Sequence, residues 1–122
     1  MQKILIVEDD RVIQDLVYAT LAGDVRYRLL QARDGQSGLN LARSENPSIV
    51  LLDVDLPLIN GFEICATLKN DPAYNNIKII ILTALGQPAD LERGRQAGAD
   101  AYLVKPFSPL NLLRKVDSML EN

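Results

Sequence analysis

The sequence predicts an α/β domain with a doubly wound, five-stranded parallel sheet and helices on both faces. Three observations lead there. The short apolar runs are continuous rather than alternating, which marks strands buried on both sides. Segments with helical spacing lie between them. The alternation of strand and helix persists along all 122 residues, a length that suits one ordinary domain spanning 1–122.

The strong strands are Ile4-Leu5-Ile6-Val7, Ile49-Val50-Leu51-Leu52, Ile79-Ile80-Ile81-Leu82 and Ala101-Tyr102-Leu103-Val104. A weaker one runs from about Tyr27 to Ala32. Val12, Ile13, Leu16, Val17, Thr20 and Leu21 repeat at helical spacing, as do Phe62, Ile64, Cys65 and Leu68, so both sets are expected to face the core. Gln36 to Ser44 and Pro88 to Ala97 read as helices with weaker stripes. The last helix has Ser108 as N-cap, Pro109 in its first turn, then Leu110, Leu112, Leu113, Val116 and Leu120. Right-handed crossovers put such helices on both faces of the sheet.

Composition narrows the function. Hydrophobic residues make up 48% of the chain, enough for a core, and charged residues 24%. The net charge is -3 and the basic residues are scattered, so direct binding to nucleic acid by this domain is not expected. No apolar run approaches the roughly 20 residues of a membrane span, and a cytoplasmic location is the expectation. A single cysteine, Cys65, precludes an internal disulfide, and its place on a helical stripe makes it a core residue. There is no histidine, which removes Ser-His and Cys-His catalysis and histidine metal sites. Chemistry is left to carboxylates, lysine, hydroxyls and metal.

The polar residues that interrupt the strands all fall at carboxyl ends. Val7 is followed by Glu8-Asp9-Asp10, Leu52 by Asp53, Leu82 by Thr83 and Val104 by Lys105. In open α/β sheets that edge binds ligands. Taken singly, Asp9 or Asp10 reads as a helix cap, Thr83 as a strand-end hydroxyl and Lys105 as a surface lysine; together they read as a site. Two carboxylates about 4 Å apart repel by about 4 kcal/mol at an effective dielectric of ~20, so the cluster needs a cation, a proton or both. All-oxygen ligation favours a hard divalent ion, and Mg2+ fits best. With Lys105 as a second positive charge, the group suits a site that accepts a phosphoryl.

These residues resemble the receiver domains of bacterial two-component response regulators, CheY-like domains of flavodoxin-like fold. The likeness covers Lys3 to Leu120. It rests on Ile4-Leu5-Ile6-Val7-Glu8-Asp9-Asp10, on Leu51-Leu52-Asp53-Val54-Asp55-Leu56-Pro57 with Gly61, on Leu82-Thr83-Ala84, and on Gly98-Ala99-Asp100-Ala101-Tyr102-Leu103-Val104-Lys105-Pro106-Phe107. The resemblance implies a phosphorelay switch rather than an enzyme with an exogenous substrate. Asp53 would be the phospho-acceptor, modified and demodified by the domain's own chemistry. Asp9 and Asp53 would ligate Mg2+ directly, Glu8 through water and Asp55 through its backbone carbonyl, with Asp10 near the helix start. Lys105 would pair with the phosphoryl oxygens, Thr83 would be drawn toward the phosphoryl, and Tyr102 would rotate inward behind it.

The same resemblance implies a sensor histidine kinase or phosphotransfer protein as donor, and an output domain or protein partner. The face changed by phosphorylation would combine the Pro88–Ala97 helix, the Ala101–Val104 strand and the helix from Ser108. It leaves room for a phosphorylation-dependent dimer, although Asp100-Ala101 departs from the Asp-Asp pair frequent in transcription-factor receivers. The Lys105-Pro106 bond is expected to be cis, and Leu85, with Asp55, to govern the access of water to the phosphorylated Asp53. The alternative is a phosphohydrolase resembling the haloacid dehalogenase superfamily, with Asp53-Val54-Asp55 as its Asp-x-Asp motif. Motif order opposes it, because there the Asp-x-Asp comes first and the acidic pair last.

Overall fold

The computed structural model describes residues 2–56, 59–84 and 87–120. Strands and helices alternate strictly: β1 (Gln2–Val7), α1 (Arg11–Ala22), β2 (Tyr27–Ala32), α2 (Gly35–Glu45), β3 (Ile49–Asp53), α3 (Gly61–Lys69), β4 (Lys78–Thr83), α4 (Pro88–Gln96), β5 (Ala101–Val104) and α5 (Pro109–Leu120). The strands form one parallel sheet in the order β2-β1-β3-β4-β5. The expected doubly wound α/β architecture is the one found, including the weaker strand at β2.

The apolar runs become strands because both sheet faces are covered. On one face Val17 and Leu21 of α1 and Leu112 and Val116 of α5 pack against Ile4, Ile6, Ile49, Leu51, Ile80 and Leu82. On the other, Leu39 and Ala42 of α2 and Phe62, Ile64, Cys65 and Leu68 of α3 pack against Leu5, Val7, Val50, Leu52, Ile79 and Ile81. Alternate residues of one strand thus enter opposite cores, so a one-residue slip would exchange every contact. Cys65 is a core residue, as its spacing implies, and burial pushes its thiol up to about 12.

Helix α1 departs from the expected stripe. Its buried residues are Gln14, Val17 and Leu21, while Val12 is 74% and Leu16 37% exposed. The buried face is rotated toward Gln14 because its side-chain amide donates to the carbonyls of Glu8 (3.2 Å) and Ala32 (3.0 Å). The two carbonyls stand at the ends of β1 and β2, where the Glu8 amide already donates to that of Ala32 and Gln14 adds a second donor. A polar side chain on the buried face thus bridges two strand ends.

The helix starts follow capping chemistry. The Asp10 carboxylate accepts from the amides of Val12 and Ile13, Asp34 accepts from Ser37 and Asn60 from Phe62. Ser108 accepts from the amide of Asn111 through its Oγ, as an N-cap should. The Lys105-Pro106 bond is cis, as expected. Asp100 is held within the fold: its Oδ2 accepts from the amide of Ile79 at 2.8 Å and lies 2.8 Å from Lys69 Nζ.

Gly61 marks where α3 meets the β3 strand end. A Cβ there would stand 2.3 Å from the Asp53 carbonyl oxygen and 2.7 Å from Val54 Cα, while the Gly61 amide donates to the Val54 carbonyl. Both obstructions are backbone, so relief requires moving α3. Gly61→Ala should lower stability by about 1–3 kcal/mol, the usual cost of overpacking, read as a lower urea midpoint. An unchanged midpoint would show that α3 is not tied to Asp53 in this way.

Candidate functional site

The candidate residues gather at the carboxyl edge because of strand register. Val7 pairs with Leu52, so Glu8 and Asp53 leave β1 and β3 at the same level. Asp53 pairs with Leu82, which puts Thr83 one residue beyond it, and Thr83 pairs with Val104, which puts Lys105 one further. Between β1 and β3 the strand order reverses direction, the topological position at which such sheets bind ligands.

Glu8 is fully buried (0% exposed), Asp53 is 3% exposed and Asp9 is exposed. Carboxylate oxygens of the three lie within 4.8 Å of one another. Lys105 reaches back over them, its Nζ 2.6 Å from Glu8 Oε1 and 3.3 Å from Asp53 Oδ1. The other Glu8 oxygen accepts from the Asp10 amide at 3.1 Å. Asp53 Oδ1 also accepts from the amide of Asp55 at 3.3 Å. Thr83 is buried, and its carbonyl accepts from the Lys105 amide at 2.7 Å, so strand pairing positions the lysine.

Burial drives Glu8 up to about 7; the Lys105 hydrogen bond opposes that shift and nearby Asp53 adds to it. Burial also works against charge on Lys105, but its bonds to Glu8 and Asp53 prevail and hold its ammonium above the ordinary range. Three carboxyl groups thus meet a single ammonium. The donors are all oxygen, two of them are withdrawn from water and the third opens to it. This donor set fits a hard divalent cation that keeps some of its own water.

Asp10, expected near the helix start, Asp55, expected to act through its carbonyl, and Tyr102 stand outside the cluster of side chains. Asp10 caps α1 and lies outside the three-carboxylate group. The Asp55 side chain is exposed. Tyr102 is half-buried on β5, with its ring against α4 at Gly94. Leu85 lies outside the described residues. Sequence reasoning missed Gln14, whose amide braces the Glu8 carbonyl. The available signal was its phase, since it falls one helical turn before Val17 and two before Leu21.

A family model described as the response regulator receiver domain matches residues 4–117. The DNA-binding dual master transcriptional regulator RpaA of Synechocystis is 42% identical over 122 residues, covering 98% of this chain and 49% of that protein. The polar-differentiation response regulator DivK of Brucella ovis is 33% identical over 123 residues, covering 98% of this chain and 96% of that one. The chain thus spans about half the length of the first of these relatives and nearly all of the second. Among solved structures, the receiver domain of a Pseudomonas aeruginosa sensor histidine kinase, with magnesium coordinated in its active-site cleft, superposes with a TM-score of 0.90 at 30% identity, covering 99% of this chain and 98% of that one.

The electrostatics imply a pH dependence with a definite sign. Glu8 has a folded value of about 7 against an ordinary value of 4.5, so the fold favours its protonated form. That contribution is complete below 4.5 and is lost as pH rises through about 7. The chain has no histidine to titrate in the same window. With chelator present, Tm should therefore fall from pH 5.5 to pH 8, and Glu8→Gln should flatten the fall. A divalent cation held by these acids would compete with the proton, so added magnesium should raise Tm more at pH 8 than at pH 6. Equal magnesium shifts at both pH values would dissociate Glu8 from the cation.

Proposed function

The chain belongs to the response regulator receiver family, and we propose that its phosphorelay switch runs on Asp53 as acceptor. The family match across 4–117 carries the phosphorelay reading. The observation that carries the residue assignment is the junction of a nearly buried carboxylate, two further acids and a lysine at the reversal point of the sheet. The haloacid dehalogenase alternative finds no support in the family match or the relatives.

The proposed step is a phosphoryl transfer. A carboxylate oxygen of Asp53 attacks phosphorus, an O–P bond forms, and the P–N bond of a donor phosphohistidine breaks as its imidazole leaves. The donor is a sensor histidine kinase or phosphotransfer protein, since this chain has no histidine of its own. Asp9 and Asp53 would hold Mg2+ directly, with Glu8 acting through water and Asp55 through its carbonyl. The ion would supply charge neutralisation for the phosphoryl oxygens. Lys105, already drawn toward Glu8 and Asp53, is the side-chain cation to pair with an incoming phosphoryl oxygen.

Downstream, Thr83 at the end of β4 answers the phosphoryl and Tyr102 on β5 follows it, shifting the α4-β5-α5 face toward an output domain or partner. Such a device is a two-state equilibrium, and the phosphoryl biases it only through contacts that differ between the states. The domain is proposed as one receiver unit over 1–122, working in the cytoplasm without contacting nucleic acid or membrane itself, with dimerisation on phosphorylation open to it. Leu85 and Asp55 are proposed to set the lifetime of the acyl phosphate.

A small phosphodonor such as acetyl phosphate should modify wild type only with a divalent cation, and Asp53→Asn should lose the adduct by mass spectrometry. Undiminished labelling of that variant would overturn the acceptor assignment. Thr83→Ala should still accept the phosphoryl at Asp53 but lose the accompanying amide-exchange changes in α4, β5 and α5. A wild-type exchange response in that variant would break the proposed route.

A further inference from the structure

We propose that Gly94 is a positioning residue for the Tyr102 ring, reserving the space against α4 that the ring occupies and so deciding which ring positions the switch can use. The inference rests on the reading of Tyr102 as a switch residue given above, and extends it to a residue outside the phosphoryl site.

Gly94 is the buried residue of α4 among those described. A Cβ there would lie 2.5 Å from Tyr102 Cε1 and 3.4 Å from Cδ1, with Ile81 Cδ1 also at 3.4 Å. Carbon atoms pack comfortably at about 3.5–4.0 Å. The Ile81 contact is close to tolerable, whereas a methyl group and the Tyr102 ring compete for one volume. Either the ring turns away or α4 shifts, and the Arg93 guanidinium over the Phe62 ring of α3 at 4.5 Å is one contact that resists the shift.

Helix propensity sharpens the point. Glycine is the poorest interior helix residue after proline, so its place within α4 requires a packing reason, and the ring supplies one. Register then links that packing to the site. Ile81 pairs with Tyr102, and Thr83 lies two residues beyond Ile81 on the same strand. Residues two apart on a strand share a face, so Thr83 and the Tyr102 ring stand on the side of the sheet that α4 covers. A ring displaced at Gly94 moves along the face that carries Thr83.

The test is a double-mutant cycle in the full chain, read by urea denaturation and by affinity for beryllofluoride in magnesium. Gly94→Ala should lower the urea midpoint in the wild-type background and raise it in the Tyr102→Ala background, where helix propensity acts without the clash. If Gly94→Ala folds only when Tyr102 is also replaced, the same conclusion holds. Gly94→Ala should also change the beryllofluoride dissociation constant at least threefold, and this change should vanish in the Tyr102→Ala background. A lower midpoint in both backgrounds, or an affinity within threefold of wild type for a folded Gly94→Ala, would overturn the proposal. Asp53→Asn is the separate control: if it binds beryllofluoride as wild type does, the phosphoryl-site reading fails, while the stability arm of the cycle still reports on the ring's seat.

Discussion

Side chains buried on both faces of the sheet lock the strands in register, and that register brings residues 97 positions apart into an ion pair, Lys105 with Glu8. Neither residue could hold its place alone. Glu8 leaves β1 level with Asp53 because Val7 pairs with Leu52, and Lys105 lies one residue beyond the Thr83–Val104 pair. The lysine must therefore turn back across the sheet edge to meet the acids. Its amide is fixed by the Thr83 carbonyl while its ammonium spans two carboxylates. The site is a product of sheet pairing more than of any loop.

The same arrangement makes the site responsive. Burying carboxylates against one another is costly, and one ammonium does not neutralise three acids. The balance shows in Glu8, whose carboxyl is pushed up to about 7 by burial despite the lysine at 2.6 Å. Such a crevice would gain from added positive charge, whether a proton on Glu8 or a cation among the three acids. On the proposed reading, a phosphoryl would meet there a lysine whose present partners are the acids a cation would occupy.

The proposed coupling away from the crevice runs along the β4–β5 side of the molecule. There α4 is largely polar and contributes Gly94 as its buried residue. A helix held by one close backbone approach and an Arg93–Phe62 contact has little apolar burial to defend its position. By contrast, α1 and α5 share a continuous apolar core with β1, β3 and β4. Helix α4 is thus the lightly packed element beside the site, whereas α2 and α3 on the same sheet face and α1 and α5 on the other are seated in apolar cores.

By itself the sequence determined the strands, their burial on both faces and the polar residues that end them, because continuous apolar runs and abrupt acidic or basic stops are local features. Glu8, Asp9, Asp53, Thr83 and Lys105 were legible for that reason, and motif order separated the receiver reading from a phosphohydrolase. The tertiary structure decided what periodicity could not. It turned α1 so that Gln14 went in and Val12 stayed out, because the Gln14 amide bridges the carbonyls of two strand ends. Of Asp9 and Asp10, both readable as caps from the sequence, it set Asp10 at the start of α1, where its carboxylate meets the amides of Val12 and Ile13. It also gave Gly94 a purpose, because the volume its missing side chain leaves is filled by a ring from β5. In each case the deciding partner lies on another element or in the geometry of a turn, which no local pattern along the chain encodes.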